Sequence, residues 1–130
     1  MKQTNSSTFD EKIMSSGLTD FIFDWDGLLH RLLGDEDLAK EIINDYLKQI
    51  PLNFNAAKAA SNKKDGLLLK REVHTIKSAS ENIGALALQK IAEQIEIPGE
   101  DNDLVRAELF ISQLDAQLDK FKRTLTQFKT

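Results

Sequence analysis

The sequence predicts an all-α protein, an antiparallel up-and-down four-helix bundle with an additional short N-terminal helix. Three observations predict it. Only two prolines and six glycines interrupt 130 residues rich in good helix formers such as Leu, Ala, Lys, Glu and Gln. Apolar residues recur at spacings of three and four, and no period-two strand pattern of useful length appears. The connections between segments are short, which makes successive helices antiparallel neighbours.

Residues 1–20 are polar, with Ser and Thr scattered among them, and read as a tail or linker ahead of a domain over 21–130. From Phe21 the pattern becomes helical. Asp24 or Asp26 can cap a short helix carrying Leu28, Leu29, Leu32 and Leu33, which stops at Gly34. Asp35, Glu36 and Asp37 supply negative charge to the first turn of a second, longer helix. Its apolar stripe is expected along Leu38, Ile42 and Tyr46, with Ile43 and Leu47 beside it, and continues toward Ala60. Pro51 is expected to kink or break it. Ser61 to Gly66 (SNKKDG) is a turn. A third helix runs from about Leu67 to Ile83, punctuated by Gly84, and a fourth from Ala85 to Ile97, ending at PGEDND. The last helix has an unbroken seam of Leu104, Ala107, Ile111, Leu114, Leu118, Phe121, Leu125 and Phe128. A four-helix bundle needs that seam buried, so a monomer is expected and not a dimer.

Composition narrows the function. A net charge of −4 and a pI near 5.2 argue against nucleic acid as the main partner. The absence of cysteine excludes disulfides, zinc–thiolate sites and a thiol nucleophile. No apolar run approaches the roughly 18 residues of a membrane span, and MKQTNSSTFDEK lacks the apolar core of a secretory signal. A cytoplasmic protein without direct membrane contact is the expectation.

One histidine stands out, in REVHTIKSASENIG, Arg71 to Gly84. The core stripe of this third helix is Leu69, Val73, Ile76, Ser80 and Ile83. With the mean direction of that stripe as zero, His74 lies roughly 140° away, on the solvent side. Lys70, Lys77 and Glu81 fall at about 100°, 80° and 120°, and Ser78, Arg71 and Leu67 between about 160° and 200°. An exposed neutral imidazole is a competent nucleophile near pH 7, and a nearby ammonium favours its neutral form. The same ammonium stabilises charge added with a phosphoryl group. Ser78, a small residue one turn on, leaves room for it. This chemistry suits phosphoryl exchange with the imidazole as covalent carrier.

The constellation resembles the histidine-containing phosphotransfer domain of two-component phosphorelays. That family's signature, H-x-x-K-G-x-x-x-x-x-G, stands here as H-T-I-K-S-A-S-E-N-I-G, matched at His74, Lys77 and Gly84. LLHRLLGDEDLAKEIINDYLKQIP before it and ALALQKIAEQIE after it look like the family's flanking helices, so the resemblance spans about Phe21 to Phe128. It implies that His74 accepts the phosphoryl group, through Nε2, that Lys77 assists it and that Gly84 ends the histidine helix. It also implies response-regulator receiver domains as partners, with a hybrid sensor histidine kinase as a further one. No cofactor is implied for this chain, since magnesium comes from the receiver's acidic pocket. Leu67, Lys70, Arg71, Ser78 and Glu81 are the expected docking residues.

Two positions depart from the family pattern. Ser78 replaces the usual glycine, and its hydroxymethyl either crowds a partner or bonds the phosphate. Glu81 stands where a small residue is common, with three options: pairing with Lys77, orienting the ring through its other nitrogen, or repelling the phosphate.

Other readings are weaker. His30 has Asp26, Gly27, Leu33 and Gly34 as one-turn neighbours and no cation, which suits a structural histidine paired with Asp26. FIFDWDGLL resembles the D-x-D-G-T loop of haloacid-dehalogenase-type phosphatases, but Leu28 replaces the threonine and no strands follow to build the parallel sheet. Two histidines on different helices make no metal-ligand cluster. No G-x-x-x-x-G-K-[ST] loop is present, so the chain reads as a phosphoryl carrier and not an enzyme with its own ATP site. Two alternatives stay open: the phospho-accepting module of a chemotaxis-type kinase, and a bundle that binds receivers without transfer.

Overall fold

A computed structural model describes residues 22–129, with side chains through Leu125. The expected tail over 1–20, Phe21 and the seam position Phe128 lie outside the described residues or side chains. Among the described residues there are five helices: α1 (Trp25–Arg31), α2 (Glu36–Asn62), α3 (Gly66–Ile83), α4 (Leu86–Glu100) and α5 (Leu104–Lys129). The last four form the bundle, with α3 packed chiefly between α2 and α4. Cross-helix bonds show the antiparallel register. Tyr46 pairs with Ser80 and Asn53 with Glu72 between α2 and α3, and Lys70 meets Glu100 while His74 meets Glu96 between α3 and α4.

The first three helix starts have a local cause. Asp24 caps α1 by accepting from the Gly27 N–H at 3.0 Å, Asp35 caps α2 through Leu38 N–H at 3.0 Å, and Asp65 caps α3 through Leu68 N–H at 3.1 Å. Leu33 does not join the leucines of α1: it turns left-handed at φ 58 and is 95% exposed, because the chain must reverse before Asp35. Phe23, by contrast, is buried in edge-to-face contact with Phe121, ring centroids 5.5 Å apart.

In α2 the buried face is Ala39, Ile43, Tyr46, Ile50, Phe54, Ala57 and Ala60. The expected stripe is therefore turned about the axis, with Leu38 exposed and Ile42 half-buried. Nor does Pro51 break the helix, which is continuous through it. An interior proline costs about 3 kcal/mol through its missing N–H and ring clash. Burial of Ile50 and Phe54 on either side offsets that, at roughly 1.5–3 kcal/mol per large side chain.

The core stripe of α3 is as expected, with Leu69, Val73, Ile76, Ser80 and Ile83 all buried. Ser80 is tolerated there because its Oγ lies 2.6 Å from the Tyr46 hydroxyl, so neither buried group is left unpaired. Burial raises the Tyr46 pKa above the ordinary tyrosine value, and the bond to Ser80 only partly opposes this.

Two glycines set how the histidine helix ends. Gly84 closes α3 at φ 85, and the Ala85 N–H bonds back to Ser80 O at 2.8 Å. Its carbonyl then accepts from Asp24 N–H at 2.8 Å, and a Cβ on Gly84 would come 3.0 Å from the Asp24 carbonyl oxygen. Arg31 adds a bond from Nη2 to Asn82 O at 2.7 Å, so α1 is fastened across this end of α3. At the other end, Gly66 abuts the Gly99 carbonyl so closely that no side chain fits. The fourth helix does not stop at Ile97: α4 continues through Pro98 and Gly99, both buried, to Glu100.

The seam of α5 is buried at Ala107, Ile111, Leu114, Leu118, Phe121 and Leu125, while Leu104 at its start is half-buried. No helix among the described residues is long and apolar enough to cross a membrane.

Candidate functional site

His74 projects from the middle of α3 on the side opposite its core stripe, with 59% of its side chain exposed. The ring is held all the same. Its Nδ1 lies 2.7 Å from Oε2 of Glu96 on α4. The other carboxylate oxygen, Oε1, accepts from Lys77 Nζ at 2.9 Å. One carboxylate thus bridges the imidazole and the lysine.

The electrostatics are those of an ionised carboxylate between two donors. Partial burial pushes the Glu96 pKa up, but the hydrogen bonds from His74 and Lys77, with the lysine's charge, outweigh it and hold the carboxyl below its usual range. Lys77 is raised above the ordinary lysine value, chiefly by its hydrogen bond to Glu96; desolvation opposes this, and the charges of Glu96, Glu93 and Glu81 add to the rise. A carboxylate can only accept, so Nδ1 carries a proton, and in the neutral ring the lone pair lies on Nε2. Among the described residues, no hydrogen bond engages Nε2. The arrangement offers a solvent-facing nucleophilic nitrogen on a ring fixed in orientation and tautomer.

Sequence spacing places His74 correctly. Lys77 is near it, but through Glu96 and not by direct pairing. Lys70 is tied to Glu100 at 3.1 Å. Arg71 is exposed, Ser78 is half-buried, and Leu67 is 72% exposed. Glu81 is exposed and bonds to neither His74 nor Lys77, both of which are engaged by Glu96. His30 is exposed, and no hydrogen bond joins it to Asp26 among the described residues. No group of three or more His, Cys, Asp or Glu side chains there is arranged to hold a metal.

Glu96 is the residue that sequence reading missed. It lies 22 positions from His74 and belongs to another helix. A signal existed: in an antiparallel hairpin whose turn is centred on Ala85, equal steps on either side bring His74 opposite Glu96.

The bundle presents to solvent a histidine whose ring is held by a carboxylate of the neighbouring helix, an arrangement that suits a phosphoryl carrier. The Hpt domain family matches residues 41–124, and the chain belongs to that family. It is thus a histidine phosphotransfer module of the kind that works in phosphorelays, where Hpt domains interact with receiver domains and also occur in hybrid kinases. Among solved structures it is similar to histidine-containing phosphotransfer protein B (HptB) from Pseudomonas aeruginosa PAO1. The two are 21% identical, with TM-score 0.75, over 82% of this chain and 92% of that one. It is also similar to the HPT domain of the Hpt sensor hybrid histidine kinase from Shewanella, at 20% identity and TM-score 0.64, over 83% of this chain and 97% of that one. At such identities the likeness carries the fold. A search of curated proteins found no match to the chain.

Proposed function

We propose that His74 accepts a phosphoryl group from the aspartyl phosphate of one receiver domain and passes it to the aspartate of another. The observation that carries this is the His74 ring, exposed at Nε2 and held at Nδ1 by Glu96. The Nε2 lone pair forms the new bond to phosphorus as the acyl phosphate P–O bond breaks, its electron pair returning to the donor carboxylate. The ring keeps its Nδ1 proton and becomes cationic, and the adjacent Glu96 carboxylate stabilises that charge. Onward transfer runs the same step in reverse, with the acceptor carboxylate attacking and the P–N bond breaking. Glu96 acts through the ring and is a positioning residue; Lys77 keeps Glu96 ionised and in place.

In this reading the chain needs no cofactor, magnesium belonging to the receiver's acidic pocket. The module is a cytoplasmic monomer comprising residues 21–130, with 1–20 as tail or linker. Leu67, Lys70, Arg71, Ser78 and Glu81 lie on or beside the face toward the receiver. Such contacts are transient and bury modest area.

The test compares His74→Gln with His30→Gln for uptake of acid-labile phosphate from a phosphorylated receiver. His74→Gln abolishes uptake and His30→Gln leaves it intact; equal labelling of the two overturns the assignment. Labelling by an ATP-loaded kinase but by no phosphorylated receiver would overturn the donor instead.

A further inference from the structure

The cations on α3 are not equivalent once their partners are known. Lys77 is part-buried and held 2.9 Å from Glu96, and Lys70 is held 3.1 Å from Glu100, so both reach toward α4. Arg71 is exposed, and no hydrogen bond or ion pair engages its guanidinium among the described residues. It borders a shallow surface depression with Asp65, Leu67 and Leu68.

Two geometric arguments aim a phosphoryl group on Nε2 at Arg71. Side chains on a helix lean toward its N-terminus, so the His74 ring lies over the turn that carries Lys70 and Arg71, not the turn that carries Ser78. Glu96 draws Nδ1 toward α4, which directs the opposite edge of the ring away from α4. About the helix axis, Lys70 and Lys77 sit roughly 40° and 60° to one side of His74. Arg71 sits about 60° to the other, one turn away and within reach of a long side chain.

We infer that Arg71 is the residue that binds the phosphoryl group on His74, its planar fork donating to the phosphoryl oxygens, while Lys77 serves Glu96. The inference rests on His74 being the carrier. It assigns to Arg71 the role that the spacing H-x-x-K would give to Lys77. An arginine suits it, because a guanidinium meets phosphoryl oxygens with two parallel donors where an ammonium offers a point charge.

The test phosphorylates the protein with phosphoramidate, a small donor that needs no receiver, so docking contacts of Arg71 play no part. Phosphohistidine is followed by phosphorus NMR at neutral pH, and the arginine side-chain N–H groups by nitrogen NMR. Phosphorylation shifts the Arg71 Nε–H resonance. Arg71→Gln lowers the phosphohistidine level reached by roughly two- to fivefold, the scale of an exposed charge pair. Arg71→Lys recovers part of it, and Lys77→Gln costs less than Arg71→Gln. An unchanged level in Arg71→Gln, or a larger loss in Lys77→Gln, overturns the inference. No phosphohistidine in the unsubstituted protein overturns the carrier reading beneath it, a distinguishable failure.

Discussion

Glu96 of α4 holds the His74 imidazole of α3 by a 2.7 Å hydrogen bond at Nδ1, and the same carboxylate is held by Lys77 at 2.9 Å. The imidazole is therefore set by a helix pair and not by one helix. A ring free to rotate would divide its time between tautomers and orientations, only some with a lone pair on Nε2 facing the partner.

That arrangement separates charge from geometry in two substitutions. Glu96→Gln keeps an oxygen for the Nδ1 proton and loses the charge, and is expected to slow phosphoryl acceptance about threefold; Glu96→Ala loses both, for about tenfold. Initial rates with a phosphorylated receiver measure the loss, and nitrogen NMR of His74 reports the tautomer. An alanine variant with an unchanged rate and an unchanged proton on Nδ1 would remove Glu96 from the mechanism.

Gly84→Ala should destabilise the fold by about 2 kcal/mol. The residue sits at φ 85, and an added Cβ would press on the Asp24 carbonyl oxygen at 3.0 Å. Urea unfolding gives the free energy. The same substitution should loosen α1, visible as faster hydrogen exchange at the Asp24 amide.

Tyr46→Phe leaves the Ser80 hydroxyl buried without its partner, at a cost of about 1–2 kcal/mol. Adding Ser80→Ala should recover part of the loss, since two apolar groups then meet where two hydroxyls did. Full additivity of the two substitutions would show that the bond contributes nothing.

Stability should fall at both extremes of pH, with signs that follow from the shifted groups. Tyr46 and Lys77 have folded pKa values above their unfolded ones. Their contribution is complete below about pH 10 and is lost as pH rises from there through the raised values. Glu96 is lowered, so its contribution is present above about pH 4.3 and lost as pH falls through its folded value. Thermal melts across the pH range check this. In Glu96→Gln the acid-side loss should shrink, and in Tyr46→Phe the alkaline-side loss should shrink.

How much of this was legible beforehand differs from helix to helix. On α3 the spacing of Leu69, Val73, Ile76, Ser80 and Ile83 specified the buried face and, by subtraction, the exposure of His74. On α2 the same reasoning chose a stripe led by Leu38, which the structure leaves 38% exposed. Apolar residues there cover more than one face, and small ones such as Ala39 and Ala57 mark the true contact. Pro51 does not produce a break for a related reason, since a local penalty was set against burial that only packing supplies.

The chain by itself determined the helices, the capping aspartates, the left-handed stop at Gly84 and the side of α3 from which His74 points. Those depend on residues within a turn or two of one another, and the helical period relates them directly. Only the tertiary structure decided that Glu96 meets His74, that Lys77 and Lys70 are engaged by α4, and that Ser80 finds Tyr46. Such pairings depend on the register and separation of neighbouring helices, which packing across the whole core sets and no single helix encodes.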